Sequence, residues 1–181
     1  GATDPDLYTI TVGGGEIDQY IIAGPDIAQV VERYTDLTGR MPLPPIWSLG
    51  YHQARYGYYP DSMVLDIANK LRAHSIPSDT IWLDIDYMDE YRCFTWSPEH
   101  FPDPAGLISD LDALGLKTIV IIDPGLKVDP EWPIYQEGLE QGLYLTNPDG
   151  TPFVGNVWPG DSVFPDFTNP ATRAWWETLV P

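Results

Sequence analysis

The sequence has little of three things on which many functional sites depend: cysteine, basic side chains and long apolar runs. Its single cysteine, Cys93, excludes an intrachain disulfide and a cysteine metal cluster, and a small buried thiol is its ordinary role. Nine basic residues against 27 acidic ones give a formal charge of −18. Because like charges repel, we expect no nucleic-acid partner and no anionic membrane surface. No apolar run approaches the roughly 20 residues of a membrane helix, and the first residues lack a signal-peptide pattern, which leaves the compartment open between cytoplasmic and secreted.

Several catalytic motifs are also missing. The sequence has no G-x-S-x-G, H-E-x-x-H or G-x-G-x-x-G, so serine hydrolase, zincin and dinucleotide-binding functions have no support. A calcium loop that began at Asp84 would need Gly at its sixth position and Glu at its twelfth, where this chain has Asp89 and Thr95. A magnesium-dependent phosphotransferase is disfavoured because no Gly-rich phosphate loop is present. We therefore expect neither a metal nor an organic cofactor.

What the chain does contain is enough apolar material for a core, with 43% hydrophobic and 13% aromatic residues. Residues 8–25 predict a β-hairpin around a Gly triplet, and residues 25–39 predict a helix that ends at Gly39. The proline-rich segment RMPLPP follows. It is a stiff connector, because each Pro fixes its own φ and restricts the conformation of the residue before it. We place a domain boundary there, which gives domains of residues 1–39 and 40–181.

Beyond the connector, strand and helix patterns alternate as β-α-β-α-β. Strands are predicted in IWSLGYHQ, DTIWLDIDY and KTIVIIDPG, and helices in residues 60–77, with Asp61 as cap, and 103–115. Residues 131–142 predict a helix, residues 143–158 a hairpin that turns at Pro148-Asp149-Gly150, and residues 169–180 a helix capped by Asn169. Parallel βα units build either an open doubly wound sheet or a closed eight-stranded barrel.

Polar residues cluster where the predicted strands end, which is the functional edge in both architectures. Asp84 and Asp86 follow the second strand, and on a continued strand they would face the same side. Asp123 ends the third strand, and Tyr51, His52, Arg55 and Tyr56 end the first. The alternative is that the carboxylates are structural, satisfied by loop amides or paired with Arg55 or Arg92. Asp89 and Glu90 belong either to the site or to a solvated loop.

Two further side chains have an ordinary and a functional interpretation. Trp158 lies with Asp166 in loops shaped by Pro and Gly, where an indole either stacks on a sugar ring or fills the loop. His52 either touches a ligand or is a satisfied core histidine. His74 and His100 show no metal-ligand spacing with it.

Five segments resemble glycoside hydrolase family 31, the α-glucosidase family, in order and spacing. They lie between residues 40 and 176 and read LPPIWSLGYHQARYGY, IPSDTIWLDIDYMDEYRCFTW, IVIIDPGLK, VWPG and FPDFTNPATRAWW. The resemblance implies an α/β fold in which residues 40–181 are the first three βα units of a (β/α)8 TIM barrel. Residues 1–39 then resemble the end of the family's N-terminal β-sandwich domain and the helix that leads into the barrel.

The same resemblance implies a sugar-binding role for six residues of the −1 subsite. Asp84 matches the aspartate that binds the outer hydroxyls of the terminal sugar. Ile85, Trp82, Ile121 and Trp158 resemble the walls of that pocket. Tyr56 matches a position where members often carry Trp or Tyr over the sugar ring.

The resemblance also implies that the reacting groups lie outside this chain. A retaining glycosidase needs two carboxylates about 5–5.5 Å apart, and the family's nucleophile lies in a Trp-x-Asp-x-Asn-Glu-like motif on the fourth barrel strand. No such motif occurs here. We expect part of a retaining, exo-acting α-glucosidase, partnered by the rest of the barrel and inactive without it. The alternative is a non-catalytic carbohydrate-binding or subunit fragment.

Overall fold

The computed structural model describes residues 6–7 and 9–180, and the chain divides between Leu43 and Pro44 into two compact units. The first unit contains helix α1, Ile27–Thr38, which begins where the Asp26 carboxylate accepts from the Gln29 amide. The helix ends at Gly39, whose φ of 90° favours glycine. None of its residues is buried.

The predicted N-terminal hairpin is not seen. The structure assigns no strand to residues 9–24, and most apolar side chains there, such as Ile21, are exposed. Tyr8, with which the prediction begins, lies outside the described residues. An isolated hairpin is at best marginally stable in water, because its apolar face needs a further layer to pack against. The predicted end of a β-sandwich is therefore not confirmed.

The second unit is built on a three-stranded parallel sheet with the order β1-β2-β3. Its strands are His52–Gln53 (β1), Thr80–Leu83 (β2) and Lys117–Val120 (β3). Helix α2, Asp61–Ala73, connects β1 to β2, and helix α3, Pro104–Ala113, connects β2 to β3. The predicted β-α-β-α-β order with a parallel sheet is thus seen.

The first strand is shorter than predicted. The Ile46–Leu49 segment forms a 3-10 turn instead, and only His52 and Gln53 pair with β2. The cap of α2 also shifts by one residue: Pro60 precedes the helix, and Asp61 is its first residue. Proline is well suited to the start of a helix, because an N–H group there has no partner within the helix and the φ of proline is already close to the helical value.

The remaining elements form a small antiparallel sheet flanked by helices. The sheet has the order β4-β6-β5, from strands Leu126–Lys127 (β4), Val154–Val157 (β5) and Gly160–Val163 (β6). Helix α4, Pro133–Glu140, lies between β4 and β5 in the chain. Helix α5, Pro170–Leu179, follows β6, and the Asn169 side chain caps it as predicted. The predicted turn at Pro148-Asp149-Gly150 forms, but the residues on its two sides are joined by an isolated β-bridge and not by regular strands. The regular hairpin is β5–β6, which turns at Trp158 and Pro159.

A single buried core of the second unit supports the ends of the parallel strands. It includes residues from α2 and α3, the two buried apolar residues of β2 and aromatic residues of the following loop. Its fully buried members include Val64, Ile81, Leu83, Phe101 and Leu111. Burial of each such side chain contributes roughly 1.5–3 kcal/mol. Among the described residues, no helix is long and apolar enough to cross a membrane.

Candidate functional site

The site begins where β2 ends. Leu83 is the last strand residue, and Asp84 turns the chain into the 3-10 segment Ile85–Tyr87. Asp84 Oδ1 accepts a hydrogen bond of 2.8 Å from the amide of Ile85. One carboxylate oxygen thus caps the turn, as the structural alternative requires, and the other has no partner among the described residues.

Asp84 lines a small pocket at the carboxyl ends of the three parallel strands. The pocket has a volume of about 120 Å³. Its walls come from the loop after β1, from β2 with Asp84, and from the residue after β3. They are Ala54, Arg55, Trp82, Leu83, Asp84 and Ile121. The structure therefore brings together Asp84, Trp82 and Ile121 of the six residues singled out in the sequence.

The other three residues lie elsewhere. Ile85 is 6% exposed and packs into the core, next to Asp84 in the chain. Tyr56 is 65% exposed and does not line the Asp84 pocket. Trp158 is 71% exposed at the tip of the β5–β6 hairpin and does not line it either.

The hairpin that carries Trp158 is nevertheless anchored to the rim of the parallel sheet. Strand β4 begins three residues after Asp123 and pairs with β6. A Cβ on Gly125 would lie 3.0 Å from Val157 Cγ2, so β5 packs tightly against this glycine. The residue before Trp158 thus contacts the segment that follows β3.

Asp86 does not share a face with Asp84, contrary to the prediction. Since β2 ends at Leu83, strand alternation does not continue, and Asp86 lies within the 3-10 turn. It lines a second concavity of about 420 Å³ together with Tyr59, Tyr91 and His100. The Tyr91 hydroxyl donates to Asp86 Oδ1 at 3.4 Å, and Oδ2 is buried with no partner among the described residues.

Asp89 and Glu90 belong to an ion-pair cluster centred on Arg92. Arg92 Nη1 lies 3.1 Å from Asp89 Oδ2, and its Nη2 lies 2.6 Å from Asp129 Oδ2 and 3.1 Å from Glu90 Oε2. The hydrogen bond from the Glu131 amide is the largest cause that lowers the pKa of Asp129, and the hydrogen bond from Arg92 is the next. Lys127 and Arg92 lower the pKa of Glu90. The structural interpretation therefore fits these carboxylates, whereas Asp84 forms no such ion pair with any residue that the structure describes.

Asp123, which follows β3, interacts electrostatically with Asp84. Burial, followed by the negative charge of Asp84, raises the pKa of Asp123. Beneath them, the Tyr87 hydroxyl donates to the carbonyl of Ile121 at 2.9 Å, and Cys93 Sγ donates to the carbonyl of Asp123 at 3.1 Å. Two buried side chains therefore hold the backbone at the end of β3 that carries Asp123.

Sequence reasoning missed two features of the pocket. Arg55 lines it beside Asp84, although the sequence analysis placed it at the end of the first strand, or in an ion pair, without a part in sugar binding. Trp82 Nε1 donates to His52 Nδ1 at 3.0 Å, which links the first two strands. The signal for Arg55 was its position just after β1. The bond between Trp82 and His52 depends on the pairing of β1 with β2, for which there was no local signal. Among the described residues, no cluster of three or more His, Cys, Asp or Glu side chains is placed to hold a metal ion.

Comparison with known proteins gives relatives that are alpha-glucosidases. The chain is 49% identical over 174 residues to alpha-glucosidase 2 of Bacillus thermoamyloliquefaciens, covering 96% of this chain and 22% of that protein. It is 42% identical over 165 residues to human neutral alpha-glucosidase AB, covering 91% of this chain and 18% of the relative. The chain thus spans about a fifth of the length of these relatives.

Solved structures agree. The Tris-bound glucosidase II alpha subunit superimposes with a TM-score of 0.81 at 41% identity, over 86% of this chain and 17% of that one. The family 31 alpha-glucosidase from Bacteroides thetaiotaomicron gives 0.76 at 47% identity, over 83% and 26%. The model of the glycosyl hydrolases family 31 TIM-barrel domain matches residues 41–180. The chain therefore belongs to glycosyl hydrolase family 31, with most of its length in the family's TIM-barrel domain.

Proposed function

We propose that this chain is part of a retaining, exo-acting α-glucosidase and forms part of the −1 subsite, where the terminal glucose binds. The observation that carries the proposal is that Asp84 lines one pocket with Trp82 and Ile121, at the carboxyl ends of parallel strands. Membership of the family and the α-glucosidase relatives support it. The chain's share is to bind and orient the sugar.

Asp84 is suited to hold sugar hydroxyls. Its Oδ1 accepts a hydrogen bond from the Ile85 amide, which leaves Oδ2 to accept a hydrogen bond from a ligand hydroxyl. Hydrogen bonds to a charged acceptor are stronger than neutral ones, and the apolar walls of Trp82 and Ile121 shield them from water. Asp84 thus offers a preorganised acceptor, while the indole offers an apolar surface to the C–H groups of a sugar ring.

Three further residues complete the proposed subsite. Trp158 and Tyr56 present exposed rings, which are free to stack on a bound sugar. Ile85 packs in the core and supports the backbone that carries Asp84. The reacting nucleophile and acid/base are assigned to the rest of the barrel, because no Trp-x-Asp-x-Asn-Glu-like motif occurs in this sequence. No metal or organic cofactor enters the proposed chemistry.

Replacement of Asp84 tests the proposal. In the enzyme that contains this chain, Asp84→Asn should lower kcat/KM for a chromogenic α-glucoside by about 10–200-fold, as expected for loss of a charged hydrogen bond worth about 1.5–3 kcal/mol. Asp89→Asn is the matched control, because Asp89 pairs with Arg92 outside the pocket. Its turnover should stay near that of the parent. Equal turnover in the parent and Asp84→Asn would remove Asp84 from the site.

A second candidate is a non-catalytic carbohydrate-binding fragment, favoured by the missing nucleophile motif. The two candidates are separated by mixing this chain with a polypeptide that supplies the remainder of the barrel. Hydrolysis of the glucoside only in the mixture supports the enzyme. Binding of the glucoside measured by calorimetry, with no hydrolysis in the mixture, supports the binding fragment.

A further inference from the structure

A hydrogen bond joins β1 and β2 at the edge of the Asp84 pocket. Trp82 Nε1 donates to His52 Nδ1 at 3.0 Å, and the ring centroids lie 6.0 Å apart. In the parallel register His52 faces Thr80, so His52 and Trp82, two residues beyond Thr80, share one face of the sheet. The bond therefore runs across a face of the sheet, from the first strand to the second.

The direction of this bond fixes the protonation of the imidazole. An indole N–H only donates, so His52 Nδ1 must carry a lone pair. The hydrogen of the neutral ring then lies on Nε2, which is buried and reaches no acceptor among the described residues. A doubly protonated ring has no lone pair at Nδ1 and loses the bond. The arrangement thus requires one tautomer of neutral His52.

This is an unusual way to satisfy a half-buried histidine. Buried polar atoms nearly always find a partner, yet here the buried Nε2 lacks one, while the only acceptor serves a Trp that is 37% exposed. The bond limits the rotation of that indole about its two side-chain torsions. Because Trp82 lines the Asp84 pocket, the bond also determines the shape of one pocket wall.

We propose that His52 is a positioning residue, which holds the indole of Trp82 in place as a wall of the Asp84 pocket by accepting its N–H at Nδ1. The consequence for sugar binding rests on the proposed function. The hydrogen bond and the tautomer do not, and they are tested separately.

The first test measures the bond itself by NMR of the intact enzyme, labelled with ¹⁵N at tryptophan and histidine. The His52 ring should show a bare Nδ1 and a protonated Nε2 at about pH 8, where an ordinary imidazole is neutral. Trp82→Phe assigns the indole resonance. A protonated Nδ1 would overturn the proposal, and this result needs no variant of His52.

Two substitutions of His52 separate the acceptor from the packing. His52→Asn keeps an acceptor near the position of Nδ1, and His52→Phe keeps a ring without an acceptor. The Trp82 indole hydrogen should exchange with water about tenfold faster in His52→Phe than in the parent, as expected for loss of one neutral hydrogen bond. His52→Asn should restore slow exchange. Equal exchange rates in all three proteins would contradict the assignment.

The second test measures the effect on the substrate. His52→Phe should raise KM for an α-glucoside by about tenfold with kcat changed less than threefold, because a pocket wall contributes uniform binding. His52→Asn should recover most of the affinity. An unchanged KM in His52→Phe, beside an impaired Asp84→Asn, would overturn the role of His52 and leave the proposed function intact. An unimpaired Asp84→Asn would instead count against the proposed function.

Discussion

At the scale of the residue, the carboxylates after β2 are not equivalent. Asp84 caps a turn and lines the pocket, Asp86 faces a second concavity, and Asp89 pairs with Arg92. The sequence was sufficient to predict a polar rim, because an apolar strand is followed by acidic residues. It could not separate paired from unpaired carboxylates, because the main partner of Arg92 is Asp129, 37 residues further along the chain.

The proximity of Asp84 and Asp123 gives a prediction at this scale. Burial and the charge of Asp84 both raise the pKa of Asp123. Replacing Asp84 with Asn removes the second cause, so the pKa of Asp123 should fall, although burial keeps it above the ordinary value. Titration of the Asp123 carboxyl by ¹³C NMR measures this. Asp89→Asn should leave it unchanged, and an unchanged value in Asp84→Asn would show that the two carboxylates do not interact.

At the scale of the element, helices were easier to predict than strands. The ends of α1, α3 and α5 are marked by local signals, such as the caps Asp103 and Asn169 and the glycine Gly115 beyond α3. Strand β1 depends on pairing with β2, and the hairpin expected in residues 8–25 depends on a layer that the described residues do not supply. The extent of a strand is set by partners distant in sequence, so the sequence pattern alone did not determine it.

Helix α4 contains a position where only glycine fits. A Cβ on Gly138 would clash with the hydroxyl and ring of the buried Tyr144, whose hydroxyl donates to the carbonyl of Tyr135 at 3.1 Å. Gly138→Ala should therefore destabilise the protein by about 1–3 kcal/mol, despite the better helix propensity of alanine. Urea unfolding measures this. The control Glu140→Ala, at an exposed position of the same helix, should change stability little. A stabilised Gly138→Ala protein would contradict the packing.

At the scale of the whole molecule, the parallel sheet is open within the described residues. Strands β1 and β3 each pair only with β2. Beside β3 lies a groove of about 520 Å³, whose lining includes Ile122 and Leu179. A barrel closes its sheet and so removes free edges, whereas open edges invite pairing with other chains.

We therefore predict that the 181-residue chain, expressed alone, associates. Light scattering should give a mass above the 20.3 kDa of the monomer, and addition of the remaining barrel as a second polypeptide should replace this association with a defined complex. Ile122→Lys, beside the free edge, should reduce self-association. Ile76→Lys, at an exposed position in the loop between α2 and β2, is the control. A monodisperse monomer would show that the open edges are protected.

The alkylation rate of the buried thiol of Cys93 can report how often the loop after β2 opens. Cys93 is 1% exposed, and burial raises its pKa to about 11, so an alkylating reagent finds neither access nor thiolate in the closed state. Modification then requires the loop after β2 to lift from the chain around Asp123, and its rate reports the frequency of that event. A saturating α-glucoside, by holding the loop down, should slow the alkylation of Cys93 measured by mass spectrometry.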